Sequence, residues 1–539
     1  MPGPTQSRRQ PFRCAATLAA LLAAVALAAC GASGSGASLP QTSQRVGPEA
    51  IFTPGTPLKT NPAATLDEMR RLGVTRVRLF VAWSAVAPDT TSTAPPAGFK
   101  AASPGAYPAA GWSVFDTIIQ AARARGIAVD LTLGPPAPRW AEGPGAPQPA
   151  EHTYWKPSPS DFAAFVRAVG TRYNGHYTPA GASTPLPRVN FWSIWNEPNL
   201  GVQLAPQATR SQIEISPAIY RSLVDAAWKG LHQTGHGGDT ILIGEVAPAG
   251  ATFAGAPGSF GAMAPLRFLR ALYCVGANYS PLRGAAAYER QCPTSASGTS
   301  SFAAANPGLF HATAFADHPY PQGLPPDEAT PREPDYAELA EVPRLERTLD
   351  RLQRVYGSST KFPIYSTEFG YQTTPPDTEA GTVNPTTAAA YLNWSEYLTW
   401  RDPRMRSYDQ YLIQDTAAGN FATGLEFANG TPKPGFAAYR MPIFLPVSTT
   451  GKGHALEVWG CVRPAHNAEL STHTQQRVRI QFERTTGGPW STVVTAPITN
   501  PHGYIDVLHK FGASGAVRLT WRYPNGPRIF SRTVPIRIH

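Results

Sequence analysis

Charge is scarce in this sequence. Charged residues fill 15% of the 539 positions, and the formal net charge of +10 is spread with no dense Lys/Arg run and no interleaving of basic with aromatic residues. Nucleic-acid-binding faces are built from such clusters, so nucleic acid is not an expected partner. Cysteine is sparse as well: there are five, none grouped with His at zinc-ligand spacing, and neither a GxGxxG nor a P-loop pattern occurs. No cofactor and no metal are therefore assigned. The Ala/Leu-rich stretch 15–29 is too short and lies too early for a conventional membrane span.

What is present is apolar and rich in loops. Hydrophobic residues make up 42% of the chain and include its twelve Trp, while 56 Pro and 48 Gly mark much of the length as loop. Long loops on a compact scaffold usually build sites. The length exceeds one typical domain and points to a large unit plus a smaller module. Residues 1–30 read as an export signal, with Arg8, Arg9 and Arg13 ahead of the apolar stretch. That stretch ends Leu27-Ala28-Ala29-Cys30-Gly31, which resembles the bacterial lipobox, whose Cys is acylated after the cut. An ordinary secretory signal cut near the same alanines is the alternative. The expectation is a protein exported and lipid-anchored through Cys30 on the outer face of the bacterial cell membrane, or secreted. Residues 31–48 form a Gly/Ser/Ala-rich tether. Cys14 belongs with the signal, and Cys274 and Cys292 enclose a polar stretch that reads as a disulfide-stapled loop in an oxidising compartment. Cys461 is then single and expected to be buried.

From about Gly47 one unit recurs: an amphipathic helix, a Gly or Pro stop, then a short apolar run. Leu66, Met69 and Leu72 lie at helical spacing before Gly73 and the strand 74–81. Further strands are expected at 50–52, 127–133, 189–195, 240–246, 312–315, 362–367 and 408–413. Eight alternating units predict an α/β fold, a (β/α)8 TIM barrel over 49–445, with a doubly wound sheet as the alternative. After about Pro446 the pattern changes to short β-rich runs, and 446–539 is expected to form an all-β, sandwich-like domain.

Barrel sites lie at the carboxyl ends of the strands. Two carboxylates follow apolar strands directly: Glu197 in Ile194-Trp195-Asn196-Glu197-Pro198, and Glu368 in Ser366-Thr367-Glu368-Phe369-Gly370. Beside aromatics, a carboxylate is costly without a task or a partner. Either alone can be read as a buried ion-pair residue; the two together in these contexts favour chemistry. Trp195-Asn196-Glu197-Pro198 resembles the strand-four motif of clan A glycoside hydrolases, with families 5 and 39 the closer likeness. The resemblance extends to Arg78 on strand two, to His318-Pro319-Tyr320 after strand six, and to the closing segment 421–439, and it spans roughly 49–445. It implies that Glu197 is the general acid/base, Glu368 the nucleophile, and Asn196 a ligand of a sugar 2-hydroxyl. Arg78, His318 and Tyr320 then line the substrate site, Arg78 and Tyr320 supporting the Glu368 anion. Trp83, Trp140 and Trp155 are candidate sugar-stacking platforms or, on the plainer reading, core. His318 and Tyr320 have a plainer reading too, as caps on strand six. The sequence departs from the family in having no Trp on strand eight, where Gln414 or Asp415 is expected to substitute. Glu245 after strand five is either a sugar ligand or a structural acid.

The leading expectation is a cofactor-independent retaining hydrolase of polysaccharide or oligosaccharide. A catalytically inactive carbohydrate-binding lipoprotein on the same barrel is the alternative, and a purely structural surface protein a third. Carbohydrate is the expected partner under the first two, and membrane contact is expected only through the lipid anchor.

Overall fold

The computed structural model describes residues 45–147, 154–252, 255 and 257–539. The expected export signal, Cys30 and most of the expected tether lie outside the described residues. Among the described residues, no helix is long and apolar enough to cross a membrane.

Eight short strands, β1 (Glu49–Phe52), β2 (Arg76–Ala82), β3 (Ala128–Gly134), β4 (Phe191–Ile194), β5 (Thr240–Val246), β6 (Ala314–Asp317), β7 (Ile364–Ser366) and β8 (Met405–Tyr408), pair in parallel in chain order. β1 pairs again with β8, so the sheet closes. Closure makes the fold a (β/α)8 barrel and removes the doubly wound alternative, which would leave two open edges.

Local sequence explains the units. In the helix Pro62–Leu72 the side chains of Leu66, Met69 and Leu72 are fully buried, and Gly73 ends the helix at φ 83°, a left-handed position that favours glycine. Ser158 caps the helix Pro159–Arg172 by accepting from the Asp161 N–H, and Pro159 occupies its first turn. β8 runs Met405–Tyr408 and not the expected 408–413, and beyond it Leu412 turns the backbone to φ 69°. The apolar run 411–413 therefore belongs to the loop above the strand, although the Tyr411 N–H still bonds the Phe369 carbonyl at 2.7 Å.

The C-terminal part is all-β apart from one helix, Ala465–Thr472. Its strands are β9 (Ile443–Phe444), β10 (Thr449–Thr450), β11 (Leu456–Cys461), β12 (Arg477–Glu483), β13 (Ser491–Pro497), β14 (Tyr504–His509), β15 (Gly515–Arg522), β16 (Arg528–Phe530) and β17 (Val534–Ile538). One sheet runs β10-β17-β15-β12-β13 with β16 on β15, the other β14-β11-β9, and Val458, Val478, Ile480, Val507 and Leu519 belong to one core. β9 pairs with β11, so this domain takes up the chain from Ile443. It contacts the end of the barrel where the chain enters β1: Asn500 donates to the Arg45 carbonyl at 2.6 Å and Tyr504 to the Pro48 carbonyl at 3.4 Å. The seam is sealed by Tyr397, Trp400, Trp459 and Tyr504, and by a buried ion pair of Arg463 with Glu396 at 2.7 Å. The domain thus leaves the opposite mouth of the barrel free.

Cys274 and Cys292 are disulfide-bonded, and Cys461 is free and buried.

Candidate active site

At the end of β4 the chain makes a tight elbow in which Trp195 and Glu197 both adopt left-handed backbone, φ 71° and 40°. Such positions cost about 1–3 kcal/mol each and persist only where surroundings enforce them. Here the Trp195 N–H bonds the Leu133 carbonyl at 2.7 Å, its indole N–H the Gln203 carbonyl at 3.1 Å, and the Glu197 N–H the Glu245 carbonyl at 2.8 Å. The buried Asn199 side chain ties the same elbow to the segment after β5, accepting from the Ala247 N–H and donating to the Ala247 and Met263 carbonyls. Trp195 is fully buried and serves as the anchor of this elbow.

Glu368 lies two residues beyond β7. Arg78 Nη1 donates to its Oε1, and the Tyr320 hydroxyl donates to Oε2 at 3.0 Å. Arg78 Nη2 reaches Asn196 Oδ1 at 2.7 Å and Glu245 Oε2 at 2.9 Å. His318 completes the set: Nδ1 lies 3.1 Å from Glu197 Oε1 and 3.7 Å from Glu368 Oε2, and Nε2 lies 2.9 Å from Glu245 Oε2. Burial alone would favour the neutral imidazole, but these three carboxylates outweigh it and push the His318 pKa up to about 10. Both ring nitrogens therefore donate at neutral pH.

Beneath this layer, further acids point into the barrel. Arg78 is in register with Asp130 on β3, whose pKa burial raises to about 7. Burial holds Asp317 at the end of β6 and Asp409 just after β8 well above the usual carboxylate range. Arg78 and His318 are thus cations set among several acids, and each serves more than one carboxylate. Asp130, Asp317 and Asp409 were not singled out in the sequence. The signal was a charged residue inside or directly after an apolar strand, the same signal that exposed Glu197 and Glu368.

Glu368 and Tyr411 are shared by two adjoining hollows, about 460 and 380 Å³. The larger is walled by Glu197, Tyr320, Tyr371 and Phe421, the smaller by Arg78, Asn196, Tyr154 and Lys59. The structure therefore gathers six of the expected site residues, Arg78, Asn196, Glu197, His318, Tyr320 and Glu368, at one place, where His318 and Tyr320 bond carboxylates and do not merely cap β6.

The expected Trp platforms are not there. Trp83 is fully buried, stacked on Phe165 with ring centroids 5.6 Å apart and meeting Trp140 edge-on at 5.9 Å. It opens the short helix Trp83–Val86, which turns the ring inward. Trp140 packs against the same core, its N–H donating to the Pro88 carbonyl at 3.0 Å, and Trp155 is buried with its N–H on the Pro144 carbonyl at 3.0 Å. None of the three lines the cleft. The aromatic wall consists of Tyr320, Tyr411 and Phe421, with Phe421 edge-on to both tyrosines at 5.1 and 5.7 Å. Tyr411 takes the place expected for Gln414 or Asp415. Gln414 instead donates to the Ala428 carbonyl, and Asp415 pairs with Lys433 at 2.7 Å. Glu245 has no exposed surface and does not line the cleft, so it is a structural acid and not a sugar ligand.

Among the described residues, one group, Glu197, His318 and Glu368, brings three potential metal-ligand atoms within 4.8 Å of one another. A doubly protonated His318 has no lone pair to offer a cation, so the group is an ion network first.

No protein-family model and no curated protein matches this chain. Solved structures do. A family 39 glycoside hydrolase from the gut symbiont Bacteroides cellulosilyticus WH2 is 16% identical with a TM-score of 0.44, over 88% of this chain and 81% of that one. A glucosidase from Croceicoccus marinus is 12% identical with a TM-score of 0.45, over 91% and 95%. An endo-β-1,4-mannanase from Thermotoga petrophila is 11% identical with a TM-score of 0.38, over 92% and 98%. Overlaps this loose say nothing of the site's chemistry, which its own geometry has to carry.

Proposed function

We propose that this protein is a retaining O-glycoside hydrolase acting on polysaccharide or oligosaccharide, with Glu368 as nucleophile and Glu197 as general acid/base. The observation that carries the reading is a separation. One oxygen of Glu197 and one of Glu368 lie within 4.8 Å of each other. Retaining glycosidases hold their carboxyl groups about 5–5.5 Å apart, whereas inverting ones need about 6.5–9.5 Å to admit a water.

In the first step Glu368 attacks the anomeric carbon as Glu197 gives its proton to the departing oxygen, leaving a glycosyl ester on Glu368. In the second step Glu197 takes a proton from water, which displaces the ester and returns Glu368 as carboxylate. Arg78 and Tyr320 orient the attacking carboxylate, holding one oxygen each. Arg78 also accounts for the Asn196 side-chain oxygen, which leaves the amide N–H groups to donate to a sugar hydroxyl. Asn196 lines the smaller hollow and Glu197 the larger, so the cleaved sugar is assigned to the first and the leaving group to the second. The wall of Tyr320, Tyr411 and Phe421 offers apolar faces to sugar rings.

A panel of aryl glycosides and polysaccharides, scored by product analysis with the Glu368→Ala protein as blank, tests this reading. Turnover by wild type and not by the blank supports it. Binding of sugars without turnover by wild type supports the inactive carbohydrate-binding lipoprotein instead. The proposal includes export and a lipid anchor at Cys30: Cys30→Ser should release the protein from the membrane fraction, and a wholly soluble wild type cut elsewhere would refute the anchor.

A further inference from the structure

We infer that Glu245, which touches no substrate, is a positioning residue that sets both catalytic carboxylates by holding the two cations that grip them. The inference rests on the hydrolase reading and goes beyond it. One oxygen of Glu245 receives Arg78 Nη2, His318 Nε2 and the Thr367 hydroxyl, each at 2.9 Å. The far side of each cation then meets a catalytic group: Arg78 Nη1 meets Glu368, and His318 Nδ1 meets Glu197. A third link runs through the backbone, where the carbonyl of Glu245 accepts a hydrogen bond from the Glu197 N–H at 2.8 Å. The residue is built in deliberately. It sits at φ 49° beside a break in the β5–β6 register between Gly244 and Val246, which throws its side chain into the barrel.

Its charge also balances the site. With Glu197 carrying the proton its first task requires, Arg78 and His318 face Glu245 and Glu368, two charges of each sign. The other titratable groups facing Glu245 are Asp130 on β3, Asp317 on β6 and Tyr220 from the helix Ser216–Gln233. Burial pushes Asp317 and Tyr220 well above their ordinary values and raises Asp130 to about 7. Glu245 alone goes the other way: burial opposes its ionisation, but Arg78 and His318 hold its pKa down to about 2. It is therefore the permanent anion of this core. A neutral residue there leaves the site one positive charge in excess, which favours loss of the Glu197 proton and weakens the hold on both cations.

The test uses the full-length exported protein. Glu245→Gln should lower kcat about 10²-fold with KM little changed, because the reacting groups lose their placement and not their sugar contacts. Both limbs of its pH–activity profile should move to lower pH, by about one unit, as expected when a nearby negative charge is removed. Glu245→Asp keeps the charge with a shorter reach, so its limbs should return to the wild-type position while kcat stays reduced. Loss of kcat with limbs that do not move in Glu245→Gln would make the role merely structural and overturn the inference. If Glu245→Gln does not fold, the wild type still decides: ¹⁵N-histidine NMR should show both His318 nitrogens protonated at pH 7. An unprotonated Nε2 there refutes Glu245 as its partner. A wild type that turns over no glycoside, with His318 doubly protonated, would sink the hydrolase reading and with it the catalytic role given to Glu245, leaving the ion network alone.

Discussion

Replacing each proposed catalytic carboxylate in turn should open a different face of the cleaved sugar, and azide can report which face it is. In Glu197→Ala the lost carboxylate is the hydrogen-bond acceptor of His318 Nδ1 at 3.1 Å, so a cationic N–H is left facing the vacated space. General acid help is worth about 10²–10⁴-fold, or about 3–5.5 kcal/mol. That loss should appear in full with leaving groups that need a proton, and should shrink for dinitrophenyl glycosides, which leave without one. The glycosyl ester on Glu368 then accumulates, because no base remains to activate water. Azide needs no base and is drawn to His318, so it should speed turnover and yield a glycosyl azide with the configuration of the substrate. Glu368→Ala differs. Arg78 Nη1 and the Tyr320 hydroxyl lose their shared acceptor, hydrolysis should fall to background with every leaving group, and azide bound at that face should give the inverted product. The assay is kinetics with aryl glycosides of graded leaving-group acidity, plus NMR of the azide products. An inverted azide product from Glu197→Ala with a retained one from Glu368→Ala, or an inverting wild type, would refute the assignment of roles.

Three further outcomes follow from buried contacts. The pKa of His318 is raised from 6.5 to about 10, so the folded state binds more protons than the unfolded between those values. Its stabilising contribution is complete below about pH 6.5 and lost as pH rises toward 10; the melting temperature should fall over that range, and His318→Gln should flatten the decline. Arg463→Met strips the buried Glu396 of its cation and should destabilise the protein by about 3–5 kcal/mol in denaturant unfolding, whereas an exposed pair would cost under about 1 kcal/mol. Reduction of Cys274–Cys292, which closes a segment with a sequence separation of 18, should leave the far-UV circular dichroism spectrum largely unchanged while making that loop more open to proteolysis.

What the sequence by itself determined is whatever is written locally. Helical spacing such as Leu66, Met69 and Leu72, a glycine that ends a helix, and an apolar run that ends in a carboxylate are contiguous signals, and they located the eight units, Glu197 and Glu368. The cysteines flanking a polar loop were legible for the same reason. Closure of the barrel was not, because pairing of β1 with β8 joins residues more than 350 positions apart. The fate of the Trp side chains was likewise undecided. An indole is equally suited to a sugar face and to a core, and only the packing of Trp83 on Phe165 and Trp140 chose the core. Glu245 was the hardest to read. One acid after one strand has no visible partner in sequence, and its meaning depends on Arg78 and His318 converging on a single carboxylate oxygen from β2 and from the end of β6. That convergence exists only because a closed barrel points those side chains at a common axis, where burial makes every unmatched charge expensive and so dictates which acid stays ionised.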